Sequence, residues 1–269
     1  MKFTSYCVSA CACLLLIYGT AGAAPKQLGN CKTITVPGSY ILKKSLTVSG
    51  DCFVIQSSSV TLDLDGQTIT GDGTGTAVST PVSYRAIIVH NGTITNFDIG
   101  VDLFRSANVT VRDLNIWNTT GDGLRVGNSS VVTGNVVTGS GGIGITINSS
   151  SVVTNNTIDS AGTDGILDAG GLSTISNNTI LAGSGVGING APGTGTVVSE
   201  NTVFGLVGGA VSGTRLQVKG NNLTGGGAAV VDVICPSNVT DNTIIVIGAG
   251  GAAIVTSGAG CNVTNNATN

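Results

Sequence analysis

The chain has 269 residues, of which 42 are glycine, 41% are hydrophobic and only 9% are charged. This composition is too apolar and too weakly charged for a disordered chain, so we expect a folded protein. A formal net charge of -3 leaves no cluster of Lys and Arg to neutralise phosphates, and the aromatic residues, at 4%, are too few to stack bases in a row. Both features argue against nucleic acid as a partner.

Residues 1–23 are predicted to be a secretory signal peptide. Lys2 is followed by an apolar segment centred on residues 14–18 and by a small-residue cleavage site at 21–23. The apolar segment is shorter than the roughly 20 residues that span a bilayer, so no membrane span is expected. The sequence therefore predicts a secreted protein, either extracellular or periplasmic.

The remaining chain is a repeat of about one coil per copy. One type of residue marks the period, an asparagine that precedes a short apolar pair at intervals of 21, 22, 23, 20 and 21 residues: Asn135, Asn156, Asn178, Asn201, Asn221 and Asn242. Each copy has a β-branched run, the asparagine, a second apolar run, a Gly-rich corner and a third short run, with no helical period. This pattern is typical of a solenoid of parallel strands.

The architecture that we predict is all-β, with about nine or ten coils. Residues 24–56 form an N-terminal capping segment and the first coil, and residues 57–269 form the parallel β-helix repeats. In such a coil equivalent residues stack about 4.8 Å apart. Asparagine suits the corners because it tolerates left-handed backbone, and a column of inward amides can hydrogen-bond from coil to coil. Glycine suits the other corners because a positive φ costs it little.

The motifs of the chain resemble those of a known superfamily. The stretches that carry the resemblance are residues 60–69 (VTLDLDGQTI), 91–97 (NGTITNF) and the NNTI repeats at 155–158 and 177–180. The chain is similar there to the right-handed parallel β-helix proteins of the pectate-lyase-like superfamily. The resemblance implies the fold but leaves the activity open, because the superfamily includes lyases, hydrolases, epimerases and adhesins.

Four cysteines remain after the signal peptide: Cys31, Cys52, Cys235 and Cys261. A secreted chain reaches an oxidising compartment, where disulfides persist. We expect Cys31 to pair with Cys52 and Cys235 with Cys261, because separations of 21 and 26 residues are each close to one coil. The coil spacing of about 4.8 Å also falls within the Cα–Cα range of a disulfide.

Several catalytic motifs are missing from the sequence. His90 is the only histidine, which excludes HExxH chemistry, and residues 185–190 match GxGxxG without opening a helix, so no dinucleotide cofactor is predicted. A polygalacturonase-like hydrolase is expected to carry an Asn-Thr-Asp strand, an Asp-Asp pair and a Gly-His-Gly, none of which is present. A lyase-like site remains, in which carboxylates hold calcium and a basic residue removes a proton, so calcium is expected only if the protein is a lyase.

Most of the charged residues lie between Asp63 and Asp168. Counting back four residues from the isoleucine that ends each of three equivalent strands gives Asp65, His90 and Arg112. We expect these three side chains to form one outward column over three successive coils. Proton abstraction by Arg112 or His90, with carboxylates neutralising the substrate, is the mechanism that such a column would support.

The same counting places Asp102 beside Arg125, and it places Asp122 and Asp164 at equivalent corners two coils apart. The residues that we consider as a catalytic set are Asp65, His90, Arg112, Asp113, Asp122 and Arg125. Stacked ion pairs also occur on exposed ladders that have no catalytic role, where each contributes about 0 to 1 kcal/mol. Three aromatic residues, Phe97, Phe104 and Trp117, are expected near this face, where they can stack on sugar rings.

The sequence favours a secreted β-helix that binds an extracellular polysaccharide or serves as a surface-structural element. A polysaccharide lyase or glycoside hydrolase is the first alternative. An adhesin or self-associating surface protein is the second, because the coil that contains residues 248–255 has no charge, helix or proline to cover its strand edges. Self-association would then occur through the C-terminal coil.

Overall fold

The computed structural model describes residues 24–190, 195–248 and 251–269. These residues form 32 short strands and no helix, arranged as a parallel β-solenoid of about ten turns. The predicted all-β solenoid is therefore confirmed. The predicted signal peptide, residues 1–23, lies outside the described residues, so secretion stays a prediction. In the part of the chain that is described, no helix has the length and hydropathy needed to cross a membrane.

Each coil contributes three strands, which stack into three parallel ladders, A, B and C. Ladder A contains Lys26–Leu28, Gly38–Leu42, Val60–Asp63, Ile87–Thr95, Thr110–Trp117, Val131–Thr133, Val152–Thr154, Thr174–Ser176, Val197–Ser199, Gln217–Lys219, Asn238–Thr240 and Asn262–Thr264. Ladder B contains Leu46–Thr47, Thr68–Thr70, Val136–Thr138, Thr157–Ala161, Thr179–Gly183, Thr202–Leu206, Asn222–Gly225, Thr243–Val246 and Ala267–Thr268. Ladder C contains Lys32–Ile34, Phe53–Ile55, Thr76–Ser79, Ile99–Leu103, Leu124–Val126, Ile145–Ile147, Ile166–Asp168, Ile188–Gly190, Val211–Thr214, Ala229–Ile234 and Ala252–Ser257.

Ladders A and B belong to one sheet of 21 strands, and ladder C is a separate sheet of 11 strands. Two long strands, Ile87–Thr95 and Thr110–Trp117, run through both ladder A and ladder B. Along the strands side chains alternate between the interior and the surface. Val132 and Val153, for example, are fully buried and stack in register, while their chain neighbours point outward.

The inward asparagines form a continuous hydrogen-bonded column. Nδ2 of Asn156 donates to Oδ1 of Asn178 at 3.0 Å, and the backbone N of Asn156 donates to the same oxygen at 3.0 Å. Nδ2 of Asn156 also donates to the carbonyl oxygens of Val132 and Thr154, at 3.0 Å each. The column contains Asn135, Asn156, Asn178, Asn201, Asn221, Asn242 and Asn266. The predicted column of inward amides is confirmed, and its polar groups are paired as burial requires.

Left-handed backbone lies one residue before each asparagine of the column. Asn155 precedes Asn156 with φ 57, and Asn177 precedes Asn178 with φ 56. The sequence predicts both roles for one asparagine, whereas the structure divides them between two neighbouring residues. The exposed residue turns the chain, and the next residue points its amide inward.

Some corner glycines are required by close approach and not by φ. A Cβ on Gly162 would lie 2.1 Å from the carbonyl oxygen of Gly141 in the preceding coil, and a Cβ on Gly141 would lie 2.2 Å from that of Thr120. Neither glycine has a positive φ. The expectation that a positive φ explains these corners is therefore wrong for this column, where the adjacent coil leaves no space for a side chain.

Residues 24–56 supply strands to all three ladders. Lys26–Leu28 pairs with Gly38–Leu42 in parallel, and that strand pairs in turn with Val60–Asp63. Leu28 and Ile34 are 2% and 1% exposed. The segment thus shields the first apolar layer, although the domain boundary at residue 57 and the need for this cap stay predictions.

Both predicted disulfides are present. Cys31 is bonded to Cys52 with a Cα–Cα distance of 4.6 Å, and Cys235 is bonded to Cys261 with a Cα–Cα distance of 5.0 Å. Each bond joins adjacent coils, one near each end of the described solenoid. This arrangement agrees with a protein of an oxidising compartment.

The coil formed by residues 251–269 is less buried than the coils before it. Val263 is 43% exposed, whereas Val239, its partner in register, is fully buried. Self-association through this coil stays a prediction.

We predict that Asn178→Ala lowers the free energy of unfolding by roughly 2–5 kcal/mol, because the backbone N and Nδ2 of Asn156 lose the oxygen that accepts from both of them. The matched control is Asn177→Gly, which keeps left-handed backbone at the exposed neighbour and should change stability by less than about 1 kcal/mol. Chemical denaturation measures both values. Equal effects of the two substitutions would contradict the role of the column.

We also predict that the double substitution Cys235→Ser, Cys261→Ser frays the last coil. Removing a crosslink between residues 26 apart costs about 3 kcal/mol on the chain-entropy model, and the ends of a solenoid open first. Hydrogen exchange should rise in residues 251–269 and stay unchanged in residues 131–199. Unchanged exchange in the last coil would refute this prediction.

Candidate functional site

An outward column on ladder A brings three charged side chains together. Asp63 is in register with His90, and His90 is in register with Arg112. The predicted neighbourhood of His90 and Arg112 is confirmed, but the place of Asp65 in this column is wrong. Asp65 and Gly66, with φ values of 52 and 72, form a two-residue corner that the next coil lacks, so counting back from the following strand gives the wrong residue.

Asp63 is the acceptor at the centre of this group. Its Oδ1 accepts from Nδ2 of Asn91 at 3.0 Å and from the backbone N of Asp65 at 2.8 Å. Nδ1 of His90 lies 3.9 Å from the same oxygen. The side chain of Asp65 turns away from the column and pairs with Lys43 at 3.0 Å.

Arg112 and Asp113 are neighbours in the strand Thr110–Trp117 and form an ion pair with each other. Nη1 of Arg112 donates to Oδ2 of Asp113 at 2.6 Å. Asp113 has left-handed backbone, with φ 54, inside the long strand Thr110–Trp117, where the strand passes from ladder A to ladder B. We call Asp63, His90, Arg112 and Asp113 the ladder A cluster.

Burial has the largest effect on the pKa of His90, because the side chain is only 14% exposed. Desolvation lowers the pKa of His90 below its usual 6.5, Asp63 opposes this shift, and Arg112 adds to it. Asp113 has a smaller raising effect on the same pKa. His90 is therefore a neutral imidazole at pH 7, able to accept a proton or a hydrogen bond.

Arg125 and two carboxylates form a separate group on ladder C. Arg125 is in register with Asp102, as predicted, and its Nη2 donates to Oδ2 of Asp102 at 2.5 Å. Nη1 of Arg125 lies 3.7 Å from Oδ2 of Asp122. We call these three residues the ladder C cluster. The six predicted catalytic residues are therefore divided between two ladders, Asp122 and Arg125 with ladder C and Asp65, His90, Arg112 and Asp113 with ladder A. Their catalytic role stays a prediction.

Asp122 and Asp164 lie at equivalent corners, as the sequence predicts. Oδ1 of Asp122 accepts from the backbone N of Ile143 at 2.8 Å, and Oδ1 of Asp164 accepts from the backbone N of Val186 at 2.9 Å. Each carboxylate is thus used to tie one coil to the next. These contacts give both residues a structural role.

The outward column of the ladder A cluster continues as a row of hydroxyl groups. The residues that follow Arg112 in register are Thr133, Thr154, Ser176 and Ser199. This row, Asp63 and Asn91 are not among the residues predicted from the sequence. The row can be found in the sequence by aligning the β-branched runs on the inward asparagines. The third residue of each run then carries the hydroxyl group.

The aromatic residues divide between core and surface. Phe97 is fully buried, so the expectation that it reaches a sugar ring is wrong. Trp117 is 45% exposed and ends the long strand Thr110–Trp117 that also carries Arg112. It is the aromatic side chain of this strand that a ligand on the sheet of ladders A and B can contact.

The lyase alternative would place calcium among carboxylates. Within residues 24–190, 195–248 and 251–269, no group of three or more His, Cys, Asp or Glu side chains is arranged to hold a metal ion. Asp113, Asp102 and Asp122 are also paired with Arg side chains. These residues do not fit a calcium site.

Comparison with known proteins identifies the fold family. A family model described as a right-handed β-helix region matches residues 28–180 and 127–268. The chain belongs to this right-handed β-helix family. The resemblance to the pectate-lyase-like superfamily is consistent with the match. No curated protein matches the sequence.

Solved structures similar to this β-helix have low sequence identity. The Dettilon tailspike protein has a TM-score of 0.64 at 13% identity, and the match covers 85% of this chain and 54% of that one. DFA-IIIase from Arthrobacter chlorophenolicus A6 in complex with GF2 has a TM-score of 0.53 at 11% identity, with 84% and 88% covered. The A-module of the Azotobacter vinelandii mannuronan C-5 epimerase AlgE6 has a TM-score of 0.53 at 16% identity, with 90% and 80% covered. Identities this low show the fold alone.

We predict that His90 titrates below pH 6.5 in the folded protein, because burial disfavours the imidazolium form. The unfolded chain then binds more protons between the folded and unfolded pKa values, so stability falls as the pH drops through that window. NMR of the ring protons gives the pKa directly, since the chain has a single histidine. Asp63→Asn should lower this pKa further, because Asp63 raises it.

The control for the stability effect is His90→Gln, which should remove the contribution of this residue to the pH dependence. A His90 pKa at or above 6.5 would contradict the burial that the structure shows.

Proposed function

We propose that this β-helix binds an extracellular polysaccharide along the outward column of ladder A and does so without cleaving it. The observation that carries the proposal is the continuity of the column. Its charged end, the ladder A cluster, runs in register into the hydroxyls of Thr133, Thr154, Ser176 and Ser199. A periodic row of donors and acceptors suits a periodic polymer.

The spacing of the row supports binding through many weak contacts. Equivalent residues on adjacent coils lie about 4.8 Å apart, so the four hydroxyls extend the charged cluster by several coils. Each hydroxyl contributes little by itself, about 0.5–1.5 kcal/mol when its hydrogen bond replaces one to water. Linked contacts on one chain add through effective concentration, which favours a polymer over a single sugar.

The charged groups of the ladder A cluster are positioned by one another. Arg112 is held by Asp113, and Asp63 is held by Asn91 and by the backbone of Asp65. Because these contacts already hold the donors and acceptors in place, binding does not require the loss of side-chain entropy that ordering them would cost. This favours recognition of sugar hydroxyls. Trp117, on the same strand as Arg112, supplies an exposed aromatic surface for a sugar ring.

The solved structures with this fold support a carbohydrate as the ligand. They include a tailspike protein, a lacto-N-biosidase and a mannuronan C-5 epimerase, all built on a parallel β-helix. The chain spans 54% of the tailspike protein and 57% of the Agl-KA catalytic domain, so activities of those whole proteins are not carried over.

A polysaccharide lyase or hydrolase is the second candidate, and His90 is the observation that favours it. A neutral, mostly buried imidazole 3.9 Å from a carboxylate and in register with Arg112 is suited to proton transfer. A screen of uronate-rich and neutral polysaccharides for retention, new unsaturated ends and new reducing ends separates binder, lyase and hydrolase. Turnover that His90→Gln abolishes would establish the enzyme and refute binding without cleavage.

We predict that the double substitution Thr133→Val, Thr154→Val weakens retention on the polysaccharide that the screen identifies by about tenfold, because two hydroxyl contacts are lost. The matched control is Thr157→Val, Thr179→Val, which removes two hydroxyls in register with each other on ladder B. Affinity electrophoresis of both variants, produced in a bacterial periplasm, compares them. Equal weakening, or none in the first variant, would refute the assignment to ladder A.

A further inference from the structure

Basic charge is concentrated at the N-terminal end of the solenoid. Residues 24–56 contain four lysines and one acidic residue, Asp51, whereas residues 57–269 contain six basic and thirteen acidic residues. The lysines are Lys26, Lys32, Lys43 and Lys44. The cap is therefore positive and the rest of the solenoid is negative. Such an asymmetry attracts anions to one end of the molecule.

A cavity of about 220 Å³ lies in this cap. Its wall has cationic, hydroxyl and apolar parts, and none of its residues is acidic. The residues that matter here are Lys26, Leu28, Lys32, Thr33, Ile34 and Tyr40. Leu28 and Ile34 are almost fully buried, so the cavity has an apolar side that strengthens charge interactions near it.

Lys26 is held over the cavity by neutral groups. Its Nζ donates to the hydroxyl of Tyr40 at 3.3 Å and lies 5.0 Å from the centre of the Tyr40 ring. The Tyr40 hydroxyl donates in turn to the carbonyl oxygen of Val36 at 2.7 Å. Tyr40 is 5% exposed and therefore a fixed support. The ammonium group has three N–H donors. One of them binds the Tyr40 hydroxyl, and two remain for a ligand.

Neither lysine of the cavity forms an ion pair with a carboxylate of the described residues. Among the described residues, the ion pairs of the chain include Lys43 with Asp65 but neither Lys26 nor Lys32. Two ammonium groups thus border one small cavity without a counter-charge from the described chain. Lys43, in the same cap, differs from them because its charge is paired with the carboxylate of Asp65.

We propose that this cavity binds the carboxylate of an acidic sugar unit. Lys26 and Lys32 supply the charge, Thr33 supplies a hydroxyl for the sugar, and the exposed Val36 supplies apolar contact. The cavity is smaller than the roughly 300–1,000 Å³ of sites for drug-sized ligands, so it takes one sugar unit or chain end. The saccharide part of the ligand rests on the proposed function, while the cavity is separate from the outward column of ladder A.

The test is a calorimetric titration of the full mature chain with glucuronate, glucose and inorganic phosphate. Glucuronate should bind with an affinity that falls as salt is added, and glucose should not bind. Lys26→Gln and Lys32→Gln should each weaken glucuronate binding by at least about tenfold, because each removes a charge-assisted hydrogen bond. Lys44→Gln, an exposed lysine of the same cap outside the cavity, should leave the affinity unchanged.

Three results would overturn the proposal: equal binding of glucose and glucuronate, unchanged affinity in both cavity variants, or tighter binding of phosphate than of glucuronate. Unfolding midpoints of the variants establish that the fold is intact. Loss of polysaccharide retention in Thr133→Val, Thr154→Val together with absent glucuronate binding would refute the cavity and leave the proposed function standing. Glucuronate binding that depends on Lys26 and Lys32, without retention of any polymer, would refute the function and support the cavity as an anion site.

Discussion

The hydrogen bond from one asparagine amide to the next is the interaction on which the solenoid depends. Oδ1 of Asn178 accepts from both nitrogen donors of Asn156, and the pattern recurs at every coil from Asn135 onward. Because each amide needs the amide of the adjacent coil at hydrogen-bonding distance, a slip of one residue would leave several buried polar groups unpaired. The column therefore sets the register of the strands on both sides of it.

That register decides which side chains meet at the surface. His90 and Arg112 lie side by side because their strands are aligned, and the hydroxyls of Thr133 and Thr154 continue the same line. The row of hydroxyls lies between charged groups of the same column, the ladder A cluster before Thr133 and Lys219 after Ser199. A row of hydroxyls bounded by charged groups suits the proposed binding of a long polymer.

The repeat, the three strands per coil and both disulfides could be predicted from the sequence, because one period of about 21 residues fixes them all. The site could be predicted only in part. His90 and Arg112 were paired correctly, but Asp65 replaced Asp63, since an Asp-Gly corner changes the count and only the backbone shows it. Asp122 and Arg125 were grouped with them because the sequence does not show which sheet a strand joins. Phe97 was assigned to the surface although its ring is buried in the core.

The measurement that tests this account most directly is hydrogen exchange of the backbone amides of the asparagine column. The backbone N–H groups of Asn156, Asn178 and Asn201 each donate to the side chain of the next asparagine and are buried. The account predicts that these amides exchange only when the whole solenoid unfolds, at the slowest rates in the chain. Exchange as fast as that of residues 262–269 in the last coil would contradict it.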